Sequence, residues 1–139
     1  FAAVRSLAGY YSGVHQDGAE WIKIERQPAH GIIAMKITEV KVWLVEGVKY
    51  NWTLLKVFTD TGHTGVGEAT NWPGSPIIEA AARHIGERVI GLDPLRTDFI
   101  WTKLYRDLNW IGPYGASLCA ISGLDMALLD LKAKYYGML

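Results

Sequence analysis

The sequence predicts an α+β fold, a three-stranded antiparallel meander followed by a bundle of three main helices. Apolar side chains alternate with polar ones from Ile37 to Ala69, interrupted twice by turn-forming residues. From Ile77 onward the apolar spacing changes to that of one face of a helix. Gly91 and the pair Gly112-Pro113 cut this second region into separate helical runs.

The first strand is expected over Ile37–Glu46, with Val40, Val42 and Leu44 on one face and Lys41, Trp43 and Val45 on the other. Gly47 to Asn51 forms a loop, and Trp52–Thr59 forms the second strand, where Leu55 and Val57 oppose Leu54, Lys56 and Phe58. Asp60-Thr61-Gly62-His63 is turn chemistry, with Gly62 available for a positive φ. Thr64–Ala69 is the third strand. A three-stranded sheet must cover its apolar face, and the helices supply the cover. Pro73 to Pro76 reads as a loop. The first helix runs from about Ile77 to Ile90, with Ile77, Ala81, Ile85 and Val89 as its inner face. Asp93 caps a second helix with Pro94 at its first position, reaching about Asn109. Leu95, Phe99, Tyr105 and Leu108 reach the core from it, with Trp101 and Leu104 alongside. The third helix spans about Tyr114 to Tyr136, ended by Gly137.

That last helix carries two apolar stripes. Leu118, Ile121, Leu124, Leu128, Leu131 and Tyr135 form one, and the small residues Ala116, Ala120, Gly123 and Ala127 form the other. Small residues at helical spacing let another backbone come close. The pattern leaves open whether that backbone belongs to this domain or to a second one.

Composition narrows the function classes. The chain has 139 residues, 50% hydrophobic and 20% charged, which fits one globular domain. Fourteen basic and fourteen acidic residues cancel, with no basic stripe, so neither nucleic acid nor membrane is expected as a partner. Cys119 is the sole cysteine, which excludes an internal disulfide and favours a reducing compartment; it is expected as a buried structural thiol. No apolar run approaches the ~18 residues of a membrane span. The first fourteen residues lack signal-peptide character, and a cytoplasmic location is expected. Residues 1–34 show no sustained period: glycines and Pro28 interrupt every candidate element there except Trp21 to Glu25. They are expected as an irregular extension, with the regular domain, 35–139, opening at Met35.

The run Ala120 to Lys134 resembles the signature of the mandelate racemase and muconate lactonizing enzyme family, within the enolase superfamily. The matching residues are Ala120, Ser122, Gly123, Leu124, Asp125, Ala127, Leu128, Asp130, Leu131, Ala133 and Lys134. Gly65-Val66-Gly67-Glu68 and Ile90-Gly91-Leu92-Asp93-Pro94 resemble family segments in the same order. Leu139 stands where the family usually has proline. The resemblance implies an N-terminal capping domain, which in the family precedes a (β/α)₈-type barrel. A barrel needs roughly 200 residues or more, so the catalytic barrel is expected to be absent from this chain.

The family's chemistry, as the resemblance implies it, removes the α-proton of a carboxylate with a lysine or histidine base and Mg²⁺. Both lie on the barrel in relatives, so this chain is expected to hold no catalytic residue and no metal ligand, and to be inactive alone. Among its own acids, Asp125 and Asp130 stand about 140° apart around a helix and do not converge. Each is expected to bond a helix end or an arginine. His63 and His84 are expected to be solvated, and Glu68 to make a structural hydrogen bond.

In relatives, two loops of the cap fold over the barrel mouth and select substrate. They correspond to Gly47–Trp52 and Thr70–Ser75, which places Tyr50, Asn51, Trp52, Asn71 and Trp72 as substrate-binding candidates. Aromatic rings exclude water, and amides bond hydroxyls or a carboxylate. Trp52 fits an anchoring role in the cap's own core equally well. Trp72, beside Pro73 and Gly74, is expected to be exposed. The expected parent is a Mg²⁺-dependent sugar-acid or hydroxy-acid dehydratase, with racemase, epimerase or cycloisomerase as alternatives, and a homo-oligomer when complete. An alternative of another class is a stand-alone, non-catalytic protein-interaction domain.

Overall fold

The computed structural model describes residues 35–70, 74–112 and 114–138. Three strands, β1 (Ile37–Val45), β2 (Trp52–Thr59) and β3 (Thr64–Glu68), precede three helices, α1 (Ser75–Glu87), α2 (Thr97–Asp107) and α3 (Ala116–Tyr135). The sheet has the order β1-β2-β3 with both pairs antiparallel. Val42 lies opposite Leu55, and Leu55 opposite Gly67, so the pleat sends Val42, Leu55 and Val57 to the covered face. Lys41, Trp43 and Val45 are exposed on the other side. The β2–β3 turn forms where expected. Gly62 has φ 83°, and the Thr59 hydroxyl donates to the His63 carbonyl at 2.8 Å.

The segment Ile90–Pro94 serves β1. Ile37 N–H donates to the Leu92 carbonyl at 2.9 Å and Gly91 N–H to the Ile37 carbonyl at 2.8 Å. Gly91, at φ 82°, turns the chain into that pairing. Arg83 of α1 reaches the same strand, donating to the Val42 carbonyl at 2.8 Å while paired with Glu79.

The inner faces of α1 and α2 differ from the expected ones. The buried residues of α1 are Ser75, Ile78, Ala82, Ile85 and Gly86, and Ile77 is exposed. The helix starts earlier than expected, with Pro76 in its first turn, and packing buries Ile78 and Ala82 in place of Ile77 and Ala81, while Ile85 and Val89 lie inside as expected. α2 buries Thr97, Ile100 and Leu104, followed by Leu108, whereas Phe99 and Trp101 are exposed. Asp93 caps no helix. Its Oδ1 accepts from Leu95 N–H at 2.9 Å, closing a tight turn, and α2 begins only at Thr97.

α3 resolves the question its two stripes posed. A Cβ on Gly67 would lie 2.0 Å from the Gly123 carbonyl oxygen, and one on Gly65 would lie 1.9 Å from that of Ala127. The small stripe therefore packs on β3 of the same domain, backbone against backbone. Ile121, Leu124 and Leu128 close over Ile100 and Leu104 of α2. Two members of the expected large stripe stay outside the core: Leu118 is half-buried and Tyr135 is exposed, its ring 5.4 Å from that of His63. Cys119 is half-buried against the core.

Candidate functional site

The end of the sheet that carries the exit of β1, the entry of β2 and the exit of β3 also receives the start of α1. Four hydrogen bonds tie these segments. Ala69 N–H donates to the Thr53 carbonyl at 2.9 Å, and Thr53 N–H donates to Thr70 Oγ1 at 3.0 Å. The Ser75 hydroxyl donates to the Asn51 carbonyl at 3.0 Å, and the Thr53 hydroxyl reaches the Ser75 carbonyl at 3.5 Å. Thr53 and Ser75 are both buried. Sequence reasoning passed over both; a hydroxyl at the first inward position of a strand and another at a helix start were the available signal.

Of the five candidate residues, the structure brings Tyr50, Asn51 and Trp52 together. The Tyr50 and Trp52 rings lie 5.2 Å apart with planes at 53°, an arrangement that favours edge-to-face attraction. The Trp52 ring is 39% exposed, so it is neither sealed into the core nor free of support. Gly47 is required beneath it, because a Cβ there would sit 2.4 Å from the Tyr50 carbonyl oxygen and 3.0 Å from Trp52 Nε1. Asn51 offers its backbone carbonyl to Ser75, which leaves its side-chain amide for another partner. Asn71 and Trp72 lie outside the described residues. Thr70 before them and Ser75, one residue past the described Gly74, are hydrogen-bonded to the entry of β2.

Beside this cluster, Glu68, Ala69 and Thr70 form an open groove with Gly115, Leu118, Cys119 and Ser122 of the α3 end, of about 400 Å³. Glu68, Thr70 and Ser122 are its polar members. The structural hydrogen bond expected of Glu68 is not formed among the described residues, because the neighbouring donors Thr53 N–H and Ala69 N–H are already directed to Thr70 and Thr53.

Asp130, Asp125 and the two described histidines lie away from this groove. Asp130 bonds neither a helix end nor an arginine. Its Oδ2 accepts from Val66 N–H at 2.8 Å and from Lys134 Nζ at 2.5 Å, since β3 presents an unpaired edge N–H at that height of α3. The lysine holds the Asp130 carboxyl below the usual carboxylate range. Asp125 is pushed up, first by burial and then by the charge of Asp98, and no arginine pairs with it among the described residues. His84 is exposed and accepts from Arg88 Nε at 3.0 Å; the His63 ring lies 3.0 Å from Thr61 Oγ1. Among the described residues no group of three or more His, Cys, Asp or Glu side chains could hold a metal ion. The described residues therefore do not fit a Mg²⁺ site. No helix among the described residues is long and apolar enough to cross a membrane.

What this arrangement can do is line one side of a binding site. Aromatic edges and an amide stand at the entry of β2, and two hydroxyls and a carboxylate line the neighbouring groove; among the described residues no group of three or more metal-ligating side chains accompanies them.

Comparison with known proteins places this geometry in a family. The model of the mandelate racemase / muconate lactonizing enzyme N-terminal domain matches residues 34–138. The chain is 39% identical over 106 residues to a D-mannonate dehydratase of Novosphingobium aromaticivorans, covering 75% of this chain and 26% of that protein. It is 39% identical over 105 residues to a D-galactonate dehydratase of Variovorax paradoxus, with coverage of 75% and 26%. A crystal structure of an enolase-superfamily member from Salmonella Typhimurium superposes with a TM-score of 0.68 at 32% identity, covering 73% of this chain and 27% of that one. The chain thus spans about a quarter of the length of the curated relatives it matches. With the meander, the three helices and the signature along α3 all in place, the chain belongs to the mandelate racemase / muconate lactonizing enzyme family of the enolase superfamily, of which it carries the N-terminal domain.

Proposed function

We propose that this chain is the capping, substrate-selecting part of an enolase-superfamily enzyme that removes the α-proton of a sugar acid or hydroxy acid and expels a β-hydroxyl. The observation that carries this reading is the convergence of Tyr50, Asn51, Trp52 and the flanks of residues 71–73 on one end of the sheet. The names of the relatives, D-mannonate and D-galactonate dehydratase, support a polyhydroxylated acid as substrate. In this reading the Tyr50 and Trp52 rings exclude water from the reacting carbon, and Asn51 and Asn71 bond hydroxyls of the sugar acid. Trp72 is assigned to the same substrate-binding role from its place in the sequence. The base and Mg²⁺, which stabilises the enediolate when bound, belong to the barrel of the parent enzyme. Residues 1–34 stand outside the family domain.

The test joins this chain to the barrel of the Variovorax relative and screens sugar acids for loss of water to a 2-oxo acid. Trp52→Ala in that chimera is expected to lower kcat/KM by roughly 10- to 200-fold, the range set by removing one well-placed apolar contact. The 139-residue chain alone is expected to incorporate no solvent deuterium at the α-carbon of any acid tested. Deuterium uptake by the chain alone, or full activity of the Trp52→Ala chimera, overturns the proposal. Inversion at the α-carbon without loss of water would assign the parent to the racemases or epimerases instead, and lactone formation to the cycloisomerases.

A further inference from the structure

The chain leaves β3 through Thr70 and enters α1 through Ser75, and both residues bond the same short stretch of β2. The Thr70 hydroxyl oxygen accepts from Thr53 N–H at 3.0 Å, and the Ser75 hydroxyl donates to the Asn51 carbonyl at 3.0 Å. Asn51 and Thr53 are the two neighbours of Trp52 in the sequence. The backbone that carries this indole is therefore gripped on either side by hydroxyls 17 and 24 residues away along the chain.

A further contact crosses between these two bonds, where the Thr53 hydroxyl reaches the Ser75 carbonyl at 3.5 Å. Thr53 and Ser75 are 0% and 4% exposed, so water does not compete for their polar groups and a bond lost there is not replaced. Ala69 N–H, donating to the Thr53 carbonyl at 2.9 Å, carries the pairing of β2 and β3 up to this point and gives it a firm base. The Trp52 ring, in contrast, rests on the Tyr50 ring and close against Gly47, both within its own loop. A shift of the backbone at 51–53 therefore carries the indole with it.

We infer that Thr53, Thr70 and Ser75 form one cooperative clasp that positions Trp52, so that residues 47–52 and 70–75 open as a single unit. All three are positioning residues, acting through the backbone on either side of the indole. What the clasp means for substrate choice rests on the substrate-selecting reading of this rim: a change in one segment then alters what the other presents. Its existence does not depend on that reading.

Native-state amide hydrogen exchange, followed by NMR on the 139-residue chain, tests the clasp without any substrate. Ser75→Ala removes the bond to Asn51 but leaves the acceptor of Thr53 N–H in place. It is expected to speed exchange at Thr53 by roughly 2- to 10-fold, the value of one hydrogen bond to a shared opening. Thr70→Val works from the other end. It is expected to speed exchange by a similar factor at Ile77 and Ile78, whose N–H groups bond the Gly74 carbonyl. Thr70→Ser keeps the hydroxyl and is expected to hold all three rates within about twofold of the parent. The Trp52 indole N–H resonance, identified by its loss in Trp52→Phe, is expected to move in Ser75→Ala and Thr70→Val and to return in Thr70→Ser. Thr70 is only half-buried, so its substitution spares the core even where Ser75→Ala unfolds the chain. Unchanged exchange at Thr53 in Ser75→Ala, or at Ile77 and Ile78 in Thr70→Val, means that the segments open separately and overturns the inference. An indole resonance unmoved by both variants, or no recovery in Thr70→Ser, does the same. So does an equal acceleration at Leu124 and Leu128 in the core, which marks general loosening of the fold. Failure here leaves the Trp52→Ala chimera result standing, and an indifferent chimera leaves the exchange rates standing, so the two readings fail separately.

Discussion

The Asp130 carboxylate joins two elements of the chain: it lies on α3, where it pairs with Lys134 one turn along, and accepts from the backbone of β3. A strand edge with an open N–H invites pairing with another chain, and this acid closes it. Asp130→Ala is expected to cost about 1–2 kcal/mol in urea unfolding at neutral pH. Because the folded-state carboxyl sits below its ordinary value of 3.8, its contribution is complete above that value and is lost as pH falls through the lowered one. Asp125 behaves oppositely. Its folded-state carboxyl lies above 3.8, so the charged form is penalised by folding at neutral pH and the penalty disappears once pH drops below 3.8. Asp125→Asn is therefore expected to raise Tm at pH 7, with the gain vanishing by pH 3 while the loss in Asp130→Ala also shrinks. Melts of the two variants between pH 7 and 3 check both signs. Neither environment was legible in the sequence. The signature spacing places both acids on one helix, but which element faces each of them is decided by the tertiary packing of β3 and α2.

For the strands and helices, legibility followed periodicity. The strands were readable because alternation leaves one choice of inner face, and the turn at Asp60–His63 fixed the register of β2 against β3. The helices were harder. α1 offers Ile77 beside Ile78, and α2 offers Phe99, Ile100 and Trp101 in succession, so neighbouring stripes compete and only packing chooses between them. In α3 the small stripe announced a close approach, yet it could not name the backbone that approaches. Gly67→Ala tests that contact. The added methyl would meet the Gly123 carbonyl oxygen and, at 2.7 Å, the Ala127 amide nitrogen, both backbone atoms with no rotamer to yield. A cost of about 3 kcal/mol is expected, seen as a fall in Tm of more than about 10 °C. Gly62→Ala, at φ 83° but with nothing within 4 Å of its added methyl, is expected to cost only about 1 kcal/mol. Equal losses at the two glycines would refute a steric origin for the first.

Taken whole, the domain builds its core from Met35 to Leu131 among the described residues. A chain that begins at Met35 is therefore expected to melt cooperatively within about 4 °C of the 139-residue chain, a difference of under 1 kcal/mol. A larger fall would show that residues 1–34 contribute to the fold. The sequence marks two loops as candidates because aromatic and amide residues cluster beside turn-forming glycines. The hydrogen-bonded lattice of Thr53, Thr70 and Ser75 at the loop ends was not legible, since isolated hydroxyls carry no periodic signal. The close seating of α3 on β3 has a consequence for how such a domain diversifies. Where Gly67 meets the main chain of Gly123 and Ala127, ordinary substitution has nothing to shrink and no room to enlarge, so the spacing of strand and helix acts as a fixed datum. The rims at either end are then free to change length and chemistry without altering the angle between the sheet and its last helix.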